Sequence, residues 1–371
     1  MRVTHKMLTS TFIYNLDRNR INLADLQTKI ATGKRINKPS DDPAEIGRLL
    51  QLRSIVKRIE GYENNIDEAK GWMVSTERLL QDTWETFSEL RSTLLRAVDD
   101  TADAQSRKAL AYHVEQLLER LLQIANSRKE GRYVFGGTET QTAPYAASYE
   151  VDDEEFTAAY DTPVKLAHTR IERGSVVVTD GTTTYTEGVD YVVDYENGTI
   201  TVLSSGSMAD GATYQVDYET GWISSVQENP DGISGKIYRA IGEGLTVQAN
   251  VTGPEVFGGD PDAFQVLVRA RDMLFRNDRD GLKSVLSEVD LILDRVDDRL
   301  ADLGTRIERM DATGELLARE KLNAQGLLNA VNGTDIARAI MELRQQEVIY
   351  QAALQVGARV IQPSLVEFLG L

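Results

Sequence analysis

Near neutral pH histidine is the side chain best able to move a proton. In this sequence it occurs only at His5, His113 and His168, in three different predicted segments. None has a second ligand at helical spacing, so neither a metal site nor an acid–base pair is built locally. All three read as surface groups. Asp152-Asp153-Glu154-Glu155 offers oxygens to a cation but lacks the ligand spacing of a calcium loop, and reads as a solvated charge run. Gly136-Gly137 follows no G-x-G-x-x-G pattern, and Gly33-Lys34 lacks the upstream glycine of a phosphate loop. The chain has no cysteine, which excludes disulfides, thiolate metal sites and thiol nucleophiles. Asn197-Gly198-Thr199, Asn250-Val251-Thr252 and Asn332-Gly333-Thr334 match the glycosylation pattern, but so short a pattern fits turns equally well. No catalytic residue, cofactor or metal is assigned, and the expectation is a protein that is not an enzyme.

The elements that carry these residues point instead to a structural role. The formal charge of −17 disfavours nucleic acid and anionic membranes as partners. Residues 1–40 nevertheless hold eight Lys or Arg against Asp17 and Asp25, whereas residues 150–235 hold seventeen Asp or Glu against Lys165, Arg170 and Arg173. The acidic middle reads as solvated surface. No apolar run is long enough for a membrane span, and no signal-peptide pattern follows Met1.

Phe12, Leu16, Leu23, Leu26 and Ile30 recur at spacings of three, four and seven, the stripe of an amphipathic or coiled-coil helix ending near Gly33. Asn37 to Pro43 breaks it, and Asp42, Pro43 and Glu45 supply the cap, first position and capping-box acid of the next helix. From Leu49 the stripe runs through Leu52, Val56, Ile59, Ile66, Met73, Leu80, Trp84, Phe87, Leu94 and Val98, interrupted by Glu63, Lys70, Glu77 and Arg91. Trp72 and Trp84 are expected in helix packing. Leu110 to Ile124 gives another helix. Val176-Val177-Val178 before Asp180-Gly181, and Tyr191-Val192-Val193 before Asn197-Gly198, are hairpin signals. Helical spacing returns at Phe264 and continues through Leu282, Val289, Val296, Leu303 and Met310. A break at Asn332 to Asp335 precedes a last helix with Ile336, Ile340, Leu343, Tyr350, Leu354 and Ile361.

The expected fold is therefore mainly α with an inserted β domain. It is a long antiparallel helical bundle or rod, with terminal coiled-coil helices from both chain ends and a β-rich middle domain. Residues 1–40 and 334–371 form the terminal assembly region, 41–145 and 263–333 the long-helix domain, and 146–262 an outward-projecting insertion. On a wheel of 100° per residue, Ile349, Ala352, Ala353, Val356 and Val360 fall opposite the Ile336, Ile340, Leu354, Ile361 stripe. A helix apolar on two faces seeks burial nearly all round. Ordering a terminal residue costs about 1–2 kcal/mol, and each large apolar side chain buried returns about 1.5–3 kcal/mol, so one helix pair is marginal. Neighbouring copies are the expected source of cover. The polar strip Arg344, Gln351, Gln355 and Gln362 is expected to face water in a central channel.

These ends resemble the flagellin family. The likeness is carried by Ile30-Ala31-Thr32-Gly33-Lys34-Arg35-Ile36-Asn37-Lys38-Pro39-Ser40-Asp41-Asp42-Pro43, by Tyr350-Gln351-Ala352-Ala353-Leu354, and by Ser364-Leu365-Val366-Glu367-Phe368-Leu369. Gly131-Arg132-Tyr133-Val134-Phe135-Gly136-Gly137-Thr138-Glu139-Thr140 with Pro144-Tyr145 is most similar to the family's junction subunits between hook and filament. The resemblance covers roughly residues 1–145 and 265–371. It implies an extracellular subunit of the bacterial flagellum, exported unfolded through the type III apparatus without a cleaved signal. It also implies self-association in a ring or short helical layer, contacts with the first hook-associated protein and with flagellin, and an export chaperone before secretion. Flagellin itself, another hook-associated protein, and a secreted adhesin displaying its β domain remain the alternatives.

Overall fold

The computed structural model describes the backbone of residues 5–99 and 103–368 and the side chains of residues 7, 9–99 and 103–358. The chain opens with helices α1 (His5–Thr32), α2 (Ile46–Val98) and α3 (Ala104–Ala125). Thirteen short strands follow among the described residues: β1 (Arg128–Lys129), β2 (Arg132–Tyr133), β3 (Tyr145–Ser148), β4 (Glu150–Thr157), β5 (Pro163–Lys165), β6 (Val177–Thr179), β7 (Thr184–Tyr185), β8 (Tyr191–Asp194), β9 (Thr199–Val202), β10 (Thr213–Glu219), β11 (Ser225–Glu228), β12 (Tyr238–Gly242) and β13 (Leu245–Gln248). Helices α4 (Gly253–Val256), α5 (Ala263–Phe275), α6 (Arg279–Asn332) and α7 (Ile336–Phe368) complete it. No described helix is long and apolar enough to cross a membrane.

Two compact units result, Asn64–Thr313 and Met1–Glu63 with Gly314–Leu371, so the division falls inside α2 and α6. In the larger unit α2 buries Ile66, Ala69, Met73, Thr76, Leu80, Thr83, Phe87, Leu90, Leu94 and Ala97, nearly all at alternating spacings of three and four. Threonine can stand in this core because the hydroxyls of Thr76 and Thr83 return to the carbonyls of Trp72 and Leu79, at 3.1 and 2.8 Å. On α6, Leu282, Val285, Val289, Ile292, Val296, Leu303 and Met310 are buried at the same period. Two of the polar interruptions of the α2 stripe form ion pairs at the rim of this antiparallel packing. Lys70 meets Asp311 at 2.5 Å and Arg91 meets Asp290 at 2.6 Å. Trp84 departs from expectation, because it is 40% exposed while Thr83 takes the buried position beside it.

The helical spacing read as continuous from Phe264 breaks between α5 and α6. Asn277 takes a left-handed conformation (φ 60°), and its amide closes on Leu274, which ends α5. Helix α5 packs on α3. Around residues 150–219 a four-stranded antiparallel sheet, in the order β4-β10-β6-β7, and a three-stranded sheet, β5-β9-β8, enclose a core of their own. Phe156, Leu166, Val178, Tyr191, Ile200, Val202, Tyr214 and Val216 fill it. Both hairpins fall where the Asp-Gly and Asn-Gly pairs place them: β6 returns as β7 with Thr179 opposite Thr184, and β8 as β9 with Asp194 opposite Thr199. Gly198 is required at its turn, since its φ is positive and a Cβ there would strike the His168 carbonyl.

Candidate assembly seam

The smaller unit holds the candidate site, where α1 and α7 pack antiparallel. Along α1 the half-buried positions include Phe12, Leu16, Asn19, Leu23, Leu26 and Ile30, at strictly alternating spacings of four and three. The five apolar members are the residues expected there; Asn19 escaped notice because it is polar. On α7 the facing line is Ala339, Leu343, Gln346, Tyr350, Ala353 and Gly357. Asn19 Oδ1 accepts a hydrogen bond from Gln346 Nε2 at 3.1 Å, and the Phe12 ring lies over Gly357.

This line corrects the reading of α7. Leu343 and Tyr350 lie on it, but Ile336, Ile340 and Leu354, expected in the same seam, are 39–49% exposed. A supercoiled pair repeats every 3.5 residues, whereas the 100° wheel drifts by about 20° per heptad. Small residues at 339, 353 and 357 let the helices approach, and the larger side chains flank the contact. Ala353, expected on the opposite face, therefore belongs to the seam. Ile349 and Val356 on that opposite face are exposed, as are Ala352 and the unanticipated Met341 and Val348. Arg344, Gln351 and Gln355 of the polar strip are exposed too. The side chains of Val360, Ile361 and Gln362 lie outside the described residues.

The base of the seam is closed by the two helix breaks, which bond to each other. Arg35 N–H donates to the Asn332 carbonyl at 2.7 Å, Ile36 N–H to Asn332 Oδ1 at 2.8 Å, and Thr334 N–H to the Gly33 carbonyl at 3.1 Å. The Arg35 guanidinium spans to the Val331 carbonyl and to Asp42 at 2.8 Å. That ion pair and the Glu45 amide hold the Asp42 carboxyl below its ordinary range. Asp42 accepts from Glu45 N–H at 3.2 Å, but α2 begins only at Ile46, so Asp42 and Pro43 belong to the turn that leads into the helix and not to its cap and first position. The reciprocal half of the capping box is missing, for Glu45 Oε2 is buried without a partner. Asn332 is 2% exposed, so its Asn-Gly-Thr pattern serves the break and offers no surface amide.

Away from the seam, the larger unit buries a charge cluster that overturns the surface reading of His168. Its Nδ1 lies 3.0 Å from Asp272 Oδ2, and its side chain is only 14% exposed. Arg271, fully buried, donates to Glu115 at 2.6 Å, to the Ile223 carbonyl at 2.7 Å and to both Asp272 oxygens. Thr169 donates to Asp272 at 2.8 Å. Burial alone would raise the Asp272 pKa, but the His168 hydrogen bond and the Arg271 charge outweigh it and hold it low. Trp222 lies against Arg271 and stacks edge-on with Tyr112 and Phe275. Each charged group here is engaged by another, an arrangement that ties the β region to α3 and α5. Among the described residues no group of three or more His, Asp or Glu could hold a metal ion.

Comparison with known proteins matches this geometry. Residues 3–140 fit the family model of the bacterial flagellin N-terminal helical region, and residues 132–228 fit a second family described as a protein of unknown function. Flagellar hook-associated protein 3 of Salmonella typhimurium is 24% identical over 146 residues, covering 39% of this chain and 46% of that protein. A flagellin of Clostridium tyrobutyricum is 23% identical over 127 residues, 34% of either chain. The chain thus spans less than half the length of these curated relatives. A solved structure from Vibrio parahaemolyticus, described as a flagellar hook-associated protein, superposes with a TM-score of 0.52 at 16% identity, over 79% of this chain and all of the other. Residues 3–140 are therefore similar to the N-terminal helical region of the bacterial flagellins, and the fold is similar to that of the Vibrio parahaemolyticus structure.

Proposed function

We propose that this chain is a structural subunit of the bacterial flagellum that joins hook to filament, its terminal helices ordering as the subunit enters the assembly. One observation carries the reading. The terminal helix pair leaves Ile336, Ile340, Met341, Val348, Ile349, Leu354 and Val356, all on one helix, at 39–65% exposure, although α2 and α6 bury long apolar runs in the other unit. Apolar surface of that extent on a helix marks a contact with another chain, and here the natural cover is sister subunits in a ring or short helical layer. Residues 1–40 and 334–371 are the assembly region on this reading, and the polar strip at Arg344, Gln351 and Gln355 faces a water-filled channel. The first hook-associated protein and flagellin are its neighbours. Export proceeds without a cleaved signal, with a chaperone covering α7, and the role requires no catalysis.

The test removes residues 334–371 and measures incorporation at the ends of hooks. Loss of incorporation is expected; normal occupancy would refute the mechanism. Flagellins match the chain about as well as hook-associated protein 3 does, and purified chain decides between them. A junction subunit should fail to grow filaments alone, whereas a flagellin should polymerise.

A further inference from the structure

Helix α7 presents two apolar faces, yet α1 occupies only one. Both faces carry large aliphatic or aromatic side chains, with Leu343 and Tyr350 on the occupied side and Met341, Val348, Ile349 and Val356 on the other. Hydrophobic burial is non-directional, so apolar content does not explain the choice. Two features do distinguish the faces. The occupied one has Gln346 where Asn19 arrives, and it has Gly357, without a side chain, where the Phe12 ring arrives.

We infer that the Asn19–Gln346 and Phe12–Gly357 pairs are positioning pairs that select the face of α7 to which α1 binds, leaving the other face free. Were α7 turned to offer its second face, Asn19 would oppose Val348 or Ile349 and lose its amide partner. A half-buried amide that loses its partner gives up a hydrogen bond, and a single polar position in an otherwise apolar seam is known to select one arrangement over its competitors. Phe12 would then meet Val356, where a branched side chain fills the place that glycine leaves empty. The two pairs sit about two helical turns apart along α1, so together they also hold the antiparallel alignment begun at the Lys34–Gly333 bridge. The selection is a property of the chain itself and holds whether or not the junction reading does. If both hold, the free face is the one that sister subunits cover.

Because the chain has no cysteine, introduced thiols report on it without interference. The full-length chain at low concentration, carrying Leu16→Cys with either Tyr350→Cys or Val348→Cys, should oxidise in the first pairing at least about tenfold faster than in the second, the combined weight of the lost hydrogen bond and the displaced Phe12 contact. Adding Asn19→Leu with Gln346→Leu should reduce that preference to about threefold or less, although the seam becomes more apolar and no less stable. Gly357→Leu should reduce it likewise by displacing Phe12. The exchange Asn19→Gln with Gln346→Asn should restore it, which a purely structural loss would not allow. The thermal transition of the larger unit, unchanged in each variant, verifies that the chain is folded. A tenfold preference surviving in both the Leu pair and Gly357→Leu would overturn the inference, and so would the absence of any preference in the parent.

Discussion

The two units solve burial differently with similar materials. In the larger one α2 buries Met73, Leu80, Phe87, Leu90 and Leu94 completely, with both α6 and α3 alongside it, and the β region has a core of its own. In the smaller one the same heptad spacing meets a single partner helix, and apart from Ala339 and Gly357 its seam residues are only half-buried. The lesson is that spacing identifies the face a helix offers, but the number of neighbours decides whether the face is satisfied.

The sharpest way to break this comparison is at Arg271. Arg271→Met leaves the Glu115 and Asp272 carboxylates buried without their cation, and should destabilise the larger unit by about 3–5 kcal/mol in denaturant unfolding. A change below about 1 kcal/mol would mean that the cluster does not tie the β region to the helices. Acid should produce the next largest effect. The folded-state pKa of Asp272 lies below its unfolded value, so its stabilisation is complete above about pH 4 and disappears as pH falls through the lower, folded value. Urea midpoints of the parent should fall across that acid window more steeply than those of Asp272→Asn; parallel curves would remove Asp272 from the account. The smallest effect on the isolated chain belongs to Val348→Asp. Val348 is exposed, so stability should move by no more than about 0.5 kcal/mol, whereas incorporation into the assembly should fall sharply. Normal incorporation would show that this face needs no cover.

Much of the fold was legible because its signals are local. The Asp180-Gly181 and Asn197-Gly198 turns and the α1 stripe each depend on a few neighbouring residues, and the structure places each as read, whereas the start expected at Asp42 moves on to Ile46. What escaped depends on partners distant in sequence. Glu63, Lys70 and Arg91 look like interruptions until Lys321, Asp311 and Asp290 face them across α6. His168 looks like a surface group until Asp272, brought by α5, receives it. In the candidate site the apolar half of the seam was readable on α1, but Asn19 and Gln346 were passed over as polar, and Gly357 as featureless. A heptad count in place of a wheel would have found all three, since it tracks position rather than hydrophobicity.

The bonded pair of helix breaks has a consequence for how the chain ends melt. Fraying that enters from either terminus arrives at the same few amides, those of Arg35, Ile36 and Thr334, which both strands of the break hold jointly. The extremities therefore loosen and zip up as one cooperative element, and the clasp at their root marks how far that loosening runs.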